Sequence, residues 1–443
     1  MASPELRRVC ILTPGHLSTN PRLVKEADAL AKAGYDVSVI AADFALWARD
    51  ADRSFSGRSW QVARTLPFGP LSPWPTRIAQ VLRQRVARAI TVAGVRHPAI
   101  VRAAWHPIAP ELVTAALGVR ADLYIAHYPA ALPAAAIAAR YHQARYAYDA
   151  EDFHLGDAPE GRAHDAERYM IRAIEGRYLP GCAYVSAASP GIALAYVEAY
   201  SVARPTVVLN VFPRAEAATG PTQRGTATPA PSVYWFSQTI GRDRGLECAV
   251  RAIGQARSRP HLYLRGMPAV GFLDHLRMIA GEAGAVERLH VLPPAAPSEM
   301  GRLAATYDVG LVGETGNTLN RRIALTNKQF TYLLAGIPVV MSDIPAHRDF
   351  APSLGVATRL YPVEDAAGLT QALDTLLGDG ASLAAARNAA WRLGQDRFNW
   401  DLEQAKLLSC VEAALGIGER GGDAKRAGLP TSARPRGKAP KRG

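Results

Sequence analysis

The segment LTNKQFTYLLAGIPVVMSD puts a lysine where the local electrostatics oppose it. Thr326 and Gln329 have capping-box spacing, so the sequence predicts a helix that starts at Asn327, runs to about Ala335 and stops at Gly336, ahead of Pro338 and the strand VVMSD. Lys328 then lies in the first turn, at the positive end of the helix dipole. That placement is unfavourable by roughly a few tenths of a kcal/mol unless an anion is bound, and exposed amides beside a lysine form an anion site. Thr331 follows Lys328 at helical spacing on the same face. A lysine solvated on a surface helix is the plainer alternative. Arg22 and Lys25 repeat the conflict in the first turn of the opening helix. An anionic ligand such as a lipid phosphate would relieve it, with a solvated helix face as the alternative. Glu151 and Asp152 end the strand YAYDAED with His154 close behind, and paired carboxylates suggest acid/base work. The one Asp-x-Asp, Asp50 to Asp52, lies in a polar region after the second strand and reads as incidental rather than metal-binding.

These residues need elements to hold them. RRVCILT reads as a strand, PGHLSTN as a loop, and NPRLVKEADALAKAG as a helix with Asn20 as N-cap, Pro21 at its first position and Gly34 past its end. YDVSVIAAD, ADLYIAH, ARYAYDAED, AYVSAAS and TVVLN continue as strands alternating with helical segments, which is a βαβ rhythm. Residues 212–231 are rich in Pro, Gly and Thr without periodicity and read as a linker. The rhythm then restarts with SVYWFSQ, HLYLRG, RLHVLPP, VGLVG, IPVVMSD and ATRLYP. The fold class is therefore α/β, with one doubly wound parallel sheet in 1–211 and another in 232–395. Two such domains place a cleft between the carboxyl ends of their sheets.

Composition limits the function classes. With 49% hydrophobic and 20% charged residues in 443, the chain can bury two cores, and no apolar run is long enough to span a bilayer. The N-terminus enters a strand directly, so no signal peptide is expected, and four widely spaced cysteines suggest a reducing cytosol. The net charge of +12 is uneven: residues 424–443 hold seven Lys and Arg and no acid, within a 419–443 tail expected to be disordered. Between Asp52 and Glu111 lie nine arginines and no acidic residue. Within that stretch, TRIAQVLRQRVARAI aligns Ile78, Leu82, Val86 and Ile90 on one helical face, with Arg77, Arg83 and Arg88 away from it. Such a basic amphipathic helix suits an anionic membrane surface; a helix packed on its own domain is the alternative. No nucleic-acid-binding motif accompanies the charge, so nucleic acid is not an expected partner.

NKQFTYLLAGIPVVMSD resembles the nucleotide-binding segment of retaining glycosyltransferases of family 4, whose usual form is close to PNKLFEYLAAGKPVV and whose fold is GT-B, two facing Rossmann-like domains. TPGHLSTNPRLVKEADALAKAGYDVSVIA resembles the family's opening loop and first helix, AHYPAALPAA its His-Asp segment, and YDAEDF its Tyr-Asp-Ala-His-Glu strand end. IGRDRGLECAVRAI and LPPAAPSEMGRLAATYDVGLV are similar to the segments before the donor site, so the likeness covers about residues 7–410 in order. The resemblance implies transfer of a sugar from a nucleotide-sugar to an acceptor without a metal or other cofactor. It implies that Gly15 and His16 lie where backbone meets sugar or diphosphate and that Arg244 and Lys328 neutralise the diphosphate. It places His127 beside acceptor and reacting sugar, Glu151 and Asp152 on substrate hydroxyls, and residues 396–418 as a helix packing back on the first domain.

The sequence departs from the family at its paired glutamates, whose positions fall on Ile323 and Thr331. Thr331 retains one hydrogen bond for a ribose, whereas Ile323 replaces no carboxylate; Glu314, Asn317, Asn320 and Arg321 are the nearby substitutes. The expected function is a cytoplasmic retaining glycosyltransferase of cell-surface polysaccharide or glycolipid synthesis, peripheral on the inner membrane face through 53–110, with a glycan or lipid-linked acceptor. A non-catalytic binding homologue and a nucleotide-sugar epimerase are the alternatives. A nicotinamide dehydrogenase is disfavoured because TPGHLSTNP lacks GxGxxG spacing.

Overall fold

A computed structural model describes residues 7–158, 161, 164–220 and 231–417. The 419–443 tail and residues 221–230 of the linker lie outside the described residues. Strands β1 (Arg8–Leu12), β2 (Asp36–Asp43), β3 (Gln61–Pro67), β4 (Leu123–His127), β5 (Arg145–Ala150), β6 (Val185–Ala187) and β7 (Thr206–Val207) form one sheet in the order β3, β2, β1, β4, β5, β6, β7. Strands β8 (Ser232–Ile240), β9 (His261–Pro268), β10 (Leu289–Leu292), β11 (Val309–Val312), β12 (Val339–Ser342) and β13 (Thr358–Tyr361) form the second in the order β10, β9, β8, β11, β12, β13. Every pairing is parallel. The edge strand β3 had no sequence signal, because it exposes most of its residues and so lacks an alternating apolar pattern.

Chain order reverses between β1 and β4 in the first sheet and between β8 and β11 in the second. Ligands bind open α/β sheets at the carboxyl side of such switch points. The loops after β1, β8 and β11 carry Gly15, Arg244 and Glu314, and β4 ends at His127.

The domains share a continuous core. One face of each sheet contributes to it, joined through Val208, Val211, Phe398 and Trp400, and the helix Trp400–Leu415 packs on the helix Pro21–Lys32 of the first domain. The Trp400 amide donates to the Phe212 carbonyl at 2.9 Å and the Leu209 amide to Glu403 at 2.9 Å. Lys25 sits in this junction, its ammonium 4.4 Å from the Phe212 ring and 5.4 Å from the Trp400 ring, donating to the Val211 carbonyl and to Asn210. Burial lowers its pKa to about 7.

A second junction joins the short helix Leu319–Ile323 to the first domain. Asn320 accepts from the Phe153 amide at 2.8 Å and donates to Asp152 and Asp157 at 2.9 and 2.7 Å, while Ser189 donates to the Ile323 carbonyl at 2.7 Å. Gly191 permits this approach, since a Cβ there would lie 2.8 Å from the Ile323 carbonyl oxygen.

Arg22 is not an open cation at the helix start. Its guanidinium is buried, donating to Asp149 at 2.6 and 2.8 Å and to the Val208 carbonyl at 2.7 Å. The first-turn cation that looked unfavourable from the dipole alone is compensated by a carboxylate 127 residues away. Removing one member of a buried pair strands the other without solvent or partner. Arg22→Ala is expected to lower unfolding stability by about 3–5 kcal/mol, read by urea denaturation; a loss below about 1 kcal/mol is incompatible with this pair holding the domain.

Candidate functional site

The helix Asn327–Ala335 starts and stops where its sequence predicts, with Gly336 in the left-handed conformation at φ 72°. Its cap differs from the capping box. Thr326 donates its hydroxyl to the Gln329 side chain at 2.9 Å, and no side chain caps the helix amides. Gln329 is buried with its Nε2 unpartnered among the described residues. Asn327 and Lys328 therefore open an uncapped N-terminus.

Lys328 is not solvated. Its ammonium is buried 3.0 Å from Glu314 and lies 5.7 Å from the Trp235 ring. Arg321 donates to the other Glu314 oxygen at 3.0 Å, and Arg244 stands 3.6 Å from that oxygen with about a quarter of its side chain exposed. Three cations thus surround one buried carboxylate, a formal excess of two positive charges. Burial would raise the Glu314 pKa, but Lys328, Arg244 and Arg321 outweigh it and hold it at about 2. Burial lowers the Lys328 pKa, with Glu314 opposing and Arg244 adding to that shift.

Local backbone builds this cluster. Asp243 and Gly245 flank Arg244 in the left-handed region at φ 61° and 67°. A Cβ on Gly245 would lie 2.3 Å from the Gly313 carbonyl oxygen, so the loops after β8 and β11 touch backbone to backbone. That contact brings Arg244 to the residue following Gly313, which is Glu314. Ser342, at the end of β12, fixes Glu314 by donating to its carbonyl at 2.6 Å. His347, unremarked in the sequence, is buried nearby; it donates Nδ1–H to the Ser342 carbonyl at 2.8 Å and leaves Nε2 unpartnered among the described residues. Nothing in its surrounding sequence, SDIPAHRD, signals that burial.

Two positions expected to replace the family's glutamates are occupied otherwise. The Thr331 hydroxyl donates to the Asn327 carbonyl one turn back at 2.9 Å, an ordinary use of a helical threonine, so it offers no free donor to a ribose. Ile323 packs against Gly191 at the domain junction.

The first-domain residues are drawn inward. His16 has Nδ1 2.8 Å from Asp52, while Nε2 accepts from the Phe44 and Ala45 amides at 2.9 and 3.1 Å. Both nitrogens are engaged and the ring is fully buried, so His16 pins the loop after β1. Asp52 also accepts from the Ser18 amide at 2.7 Å, which gives half of the apparently incidental Asp-x-Asp a structural job. His127 is buried with Nε2 2.7 Å from Glu26 and Nδ1 3.4 Å from Asn20. Burial would lower its pKa, but Glu26 and Asp149 overcome this and raise it. It is a member of an internal charge network, not a group open to the cleft. Asp152 binds Asn320 across the junction, and Glu151 accepts from Asn210 at 2.8 Å. Burial and then the Asp152 charge raise the Glu151 pKa.

Gly15 keeps an open position. A methyl there would meet only the Thr13 and Thr19 hydroxyl oxygens at an ordinary 3.5 Å, and its φ is not left-handed, so neither packing nor strain requires glycine. Tyr128, directly after His127, holds the left-handed region at φ 68° with its ring 5.6 Å from that of His154. Non-glycine residues in this region cost roughly 1–2 kcal/mol and cluster at functional sites.

Two surface hollows of about 380 and 570 Å3 lie at the opposite, amino edge of the first sheet, beside Arg8, Asp36 and Gln61 and beside Arg120, His142 and Leu415. Neither contains the convergent charges of the Glu314 cluster. Among the described residues no group of three or more His, Cys, Asp and Glu is placed to hold a metal ion, and no helix is long and apolar enough to cross a membrane.

No family model and no curated protein sequence matches the chain. Solved structures do. The Anabaena protein HepE in complex with UDP superposes with a TM-score of 0.67 at 16% identity, covering 92% of this chain and all of that one. Sucrose-phosphate synthase from Thermosynechococcus elongatus gives 0.67 at 14% identity over 93% of this chain and all of that one. S. aureus TarM in complex with UDP gives 0.63 at 8% identity, covering 91% and 99%. The fold is GT-B: two Rossmann-like domains, each a parallel sheet flanked by helices, facing across a cleft.

Glu314 gains stability from its cations only while ionised. Its ordinary pKa of 4.5 falls to about 2 in the folded chain, so this contribution is complete above 4.5 and is lost as pH falls through about 2. Glu314→Gln is expected to be less stable at neutral pH. Between pH 4.5 and 2 its unfolding free energy should fall less steeply than that of the wild type, by up to one proton or about 1.4 kcal/mol per pH unit. Parallel pH profiles in urea titrations contradict the assigned pairing.

Proposed function

We propose that the chain is a retaining glycosyltransferase that moves a sugar from a nucleotide-sugar donor to a glycan or lipid-linked acceptor. The observation that carries this reading is the convergence of Arg244, Arg321 and Lys328 on Glu314 at the carboxyl edge of the second sheet, beside an uncapped helix N-terminus. Their excess positive charge matches a diphosphate, and helix amides add donors without adding a counter-charge. As the glycosidic bond breaks, negative charge grows on the leaving diphosphate, and fixed cations in a low-dielectric site stabilise that state more than the ground state. No metal is required in this scheme. The open position at Gly15 gives backbone access from the facing domain. UDP bound to the similarly folded HepE makes a uridine diphosphate sugar the first donor to test. The acceptor's place is cell-surface polysaccharide or glycolipid synthesis on the cytoplasmic side of a membrane.

A second reading, a homologue that binds nucleotide-sugar without transferring it, is favoured by Thr331 and Ile323. Neither supplies the carboxylate usual at its position; the Thr331 hydroxyl is bonded to the Asn327 carbonyl and Ile323 packs against Gly191. Donor-dependent thermal stabilisation with neither transfer nor donor hydrolysis decides for it.

Arg244→Ala and Lys328→Ala are each expected to keep the fold and lower transfer or donor hydrolysis by about a hundredfold or more, the scale of deleting one donor from an anion-stabilising site. The readout is mass spectrometry of released nucleotide across a panel of nucleotide-sugars, with melting temperature as the control for folding. Normal turnover in both variants refutes the diphosphate assignment. Gly15→Ala is expected to melt like the wild type yet lose at least about tenfold in donor or acceptor affinity, because only a bound ligand approaches its free face.

A further inference from the structure

The helix Trp74–Val92 is mounted inside out. Gln80, Ala87 and Thr91 are buried and Arg83 and Gln84 half-buried, which defines the side facing the protein. At 3.6 residues per turn, Trp74, Ile78, Leu82 and Val86 fall on the opposite side, with Val81 and Ile90 at its flanks. They are exposed, Trp74 by 73% and Leu82 by 59%, whereas Gln80 is exposed by 3%. Most of the polar inner side is bonded: Gln80 donates to the Pro67 carbonyl at 3.2 Å, Arg83 donates through its guanidinium terminus to Glu111 at 2.6 Å, and Thr91 donates to the Ala87 carbonyl at 2.8 Å, leaving the Arg83 Nε without a partner among the described residues. The orientation is thus fixed by hydrogen bonds, with the apolar ridge left for something else. Arg77, Arg85 and Arg88 are exposed along and beside that ridge, and the helix has no acidic residue.

Further apolar surface lies on the same edge of the domain. Trp47 and Leu46 follow the carboxyl end of β2, as Trp74 follows that of β3, and both are about as exposed as Leu82. This is the edge at which the loops after β1 and β4 line the cleft.

We propose that this ridge is the surface by which the chain lies on an anionic phospholipid bilayer, with Trp74, Ile78, Leu82 and Val86 in the acyl boundary and Arg77, Arg85 and Arg88 at the headgroups. The chemistry matches on both counts. An exposed apolar stripe with tryptophan at its end suits the interfacial zone, and arginines without acids suit anionic lipid. A second copy of the chain fits less well, because a twofold contact along the ridge would set arginine against arginine. Docking here turns the carboxyl edge of the first domain, and with it the cleft mouth, toward the bilayer. The inference extends the proposed acceptor class but is read by binding alone, without turnover.

The test uses the full chain in vesicle flotation, with phosphatidylglycerol mixed equally with phosphatidylcholine in one arm and phosphatidylcholine alone in the other. The wild type is expected to bind the anionic vesicles at least about tenfold more tightly, and the double variant Ile78→Ser/Leu82→Ser to lose about tenfold or more with an unchanged melting temperature. Met278→Ser, an exposed apolar residue of the second domain, should bind as the wild type does. Residues 424–443 keep their basic charge in every arm, so binding through that segment alone would leave the double variant bound and overturn the proposal. Failure of the wild type to bind, or a dimer in light scattering that the double variant dissolves, overturns it as well.

Discussion

Three like charges are held within reach of one another at the carboxyl edge of the second sheet, and the second domain meets that constraint with one carboxylate. Two cations at about 4 Å repel each other by roughly 4 kcal/mol at the effective dielectric of a protein surface. Glu314, 3.0 Å from Lys328 and Arg321 and 3.6 Å from Arg244, offsets that repulsion in the empty site. It does so without neutralising the cluster, so attraction for an anion remains. The arrangement needs loops that meet at backbone distance, which is why Gly245 and Gly313 abut, and a hydroxyl at the end of β12 to hold the Glu314 backbone. Sheet topology supplies the rest, because only neighbouring strand ends at a switch point bring β8, β11 and the following helix to one place.

The first domain has the opposite economy of charge. Arg22 is matched by Asp149 and His127 by Glu26, both pairs buried, and Asp52 takes up the His16 Nδ1. Such pairs fix geometry and leave little field outside. The facing wall therefore offers shape and backbone, through Gly15 and the strained Tyr128, while the electrostatic attraction for an anion comes from the other side.

That division also explains what the sequence could reveal. The βα alternation and the helix from Asn327 are local patterns, and the structure reproduces them almost residue for residue. Lys328 carried a local signal because its conflict with the dipole is a property of one turn. Arg22 carried the same signal with a different cause: its compensation comes from Asp149, 127 residues distant. Likewise the family resemblance placed His127 in the cleft, but its partner Glu26 is 101 residues away on the opening helix. Residue type and local spacing locate a polar group on an element; they do not say whether a remote carboxylate has already claimed it. The helix Trp74–Val92 makes the same point about faces. Its periodicity defined an apolar side, and only the bonds from Gln80 and Arg83 decide that this side looks outward.

Arg321 links the two halves of this account. It belongs to the Glu314 cluster, yet its neighbour Asn320 is the residue clasped by the Phe153 amide, Asp152 and Asp157 of the first domain. Arg244 and Lys328 are positioned by the second domain's own loops and helix; Arg321 is positioned by both domains together. A separation of the domains that breaks the Asn320 bonds therefore frees the short helix that carries Arg321, while Glu314 keeps its other two partners. The net positive charge of the site then drops from two units to one. Domain contact and the charge of the cluster are thereby linked: the Asn320 bonds between the domains are one residue from Arg321, so an anion held at the cluster would favour the arrangement in which those bonds are made.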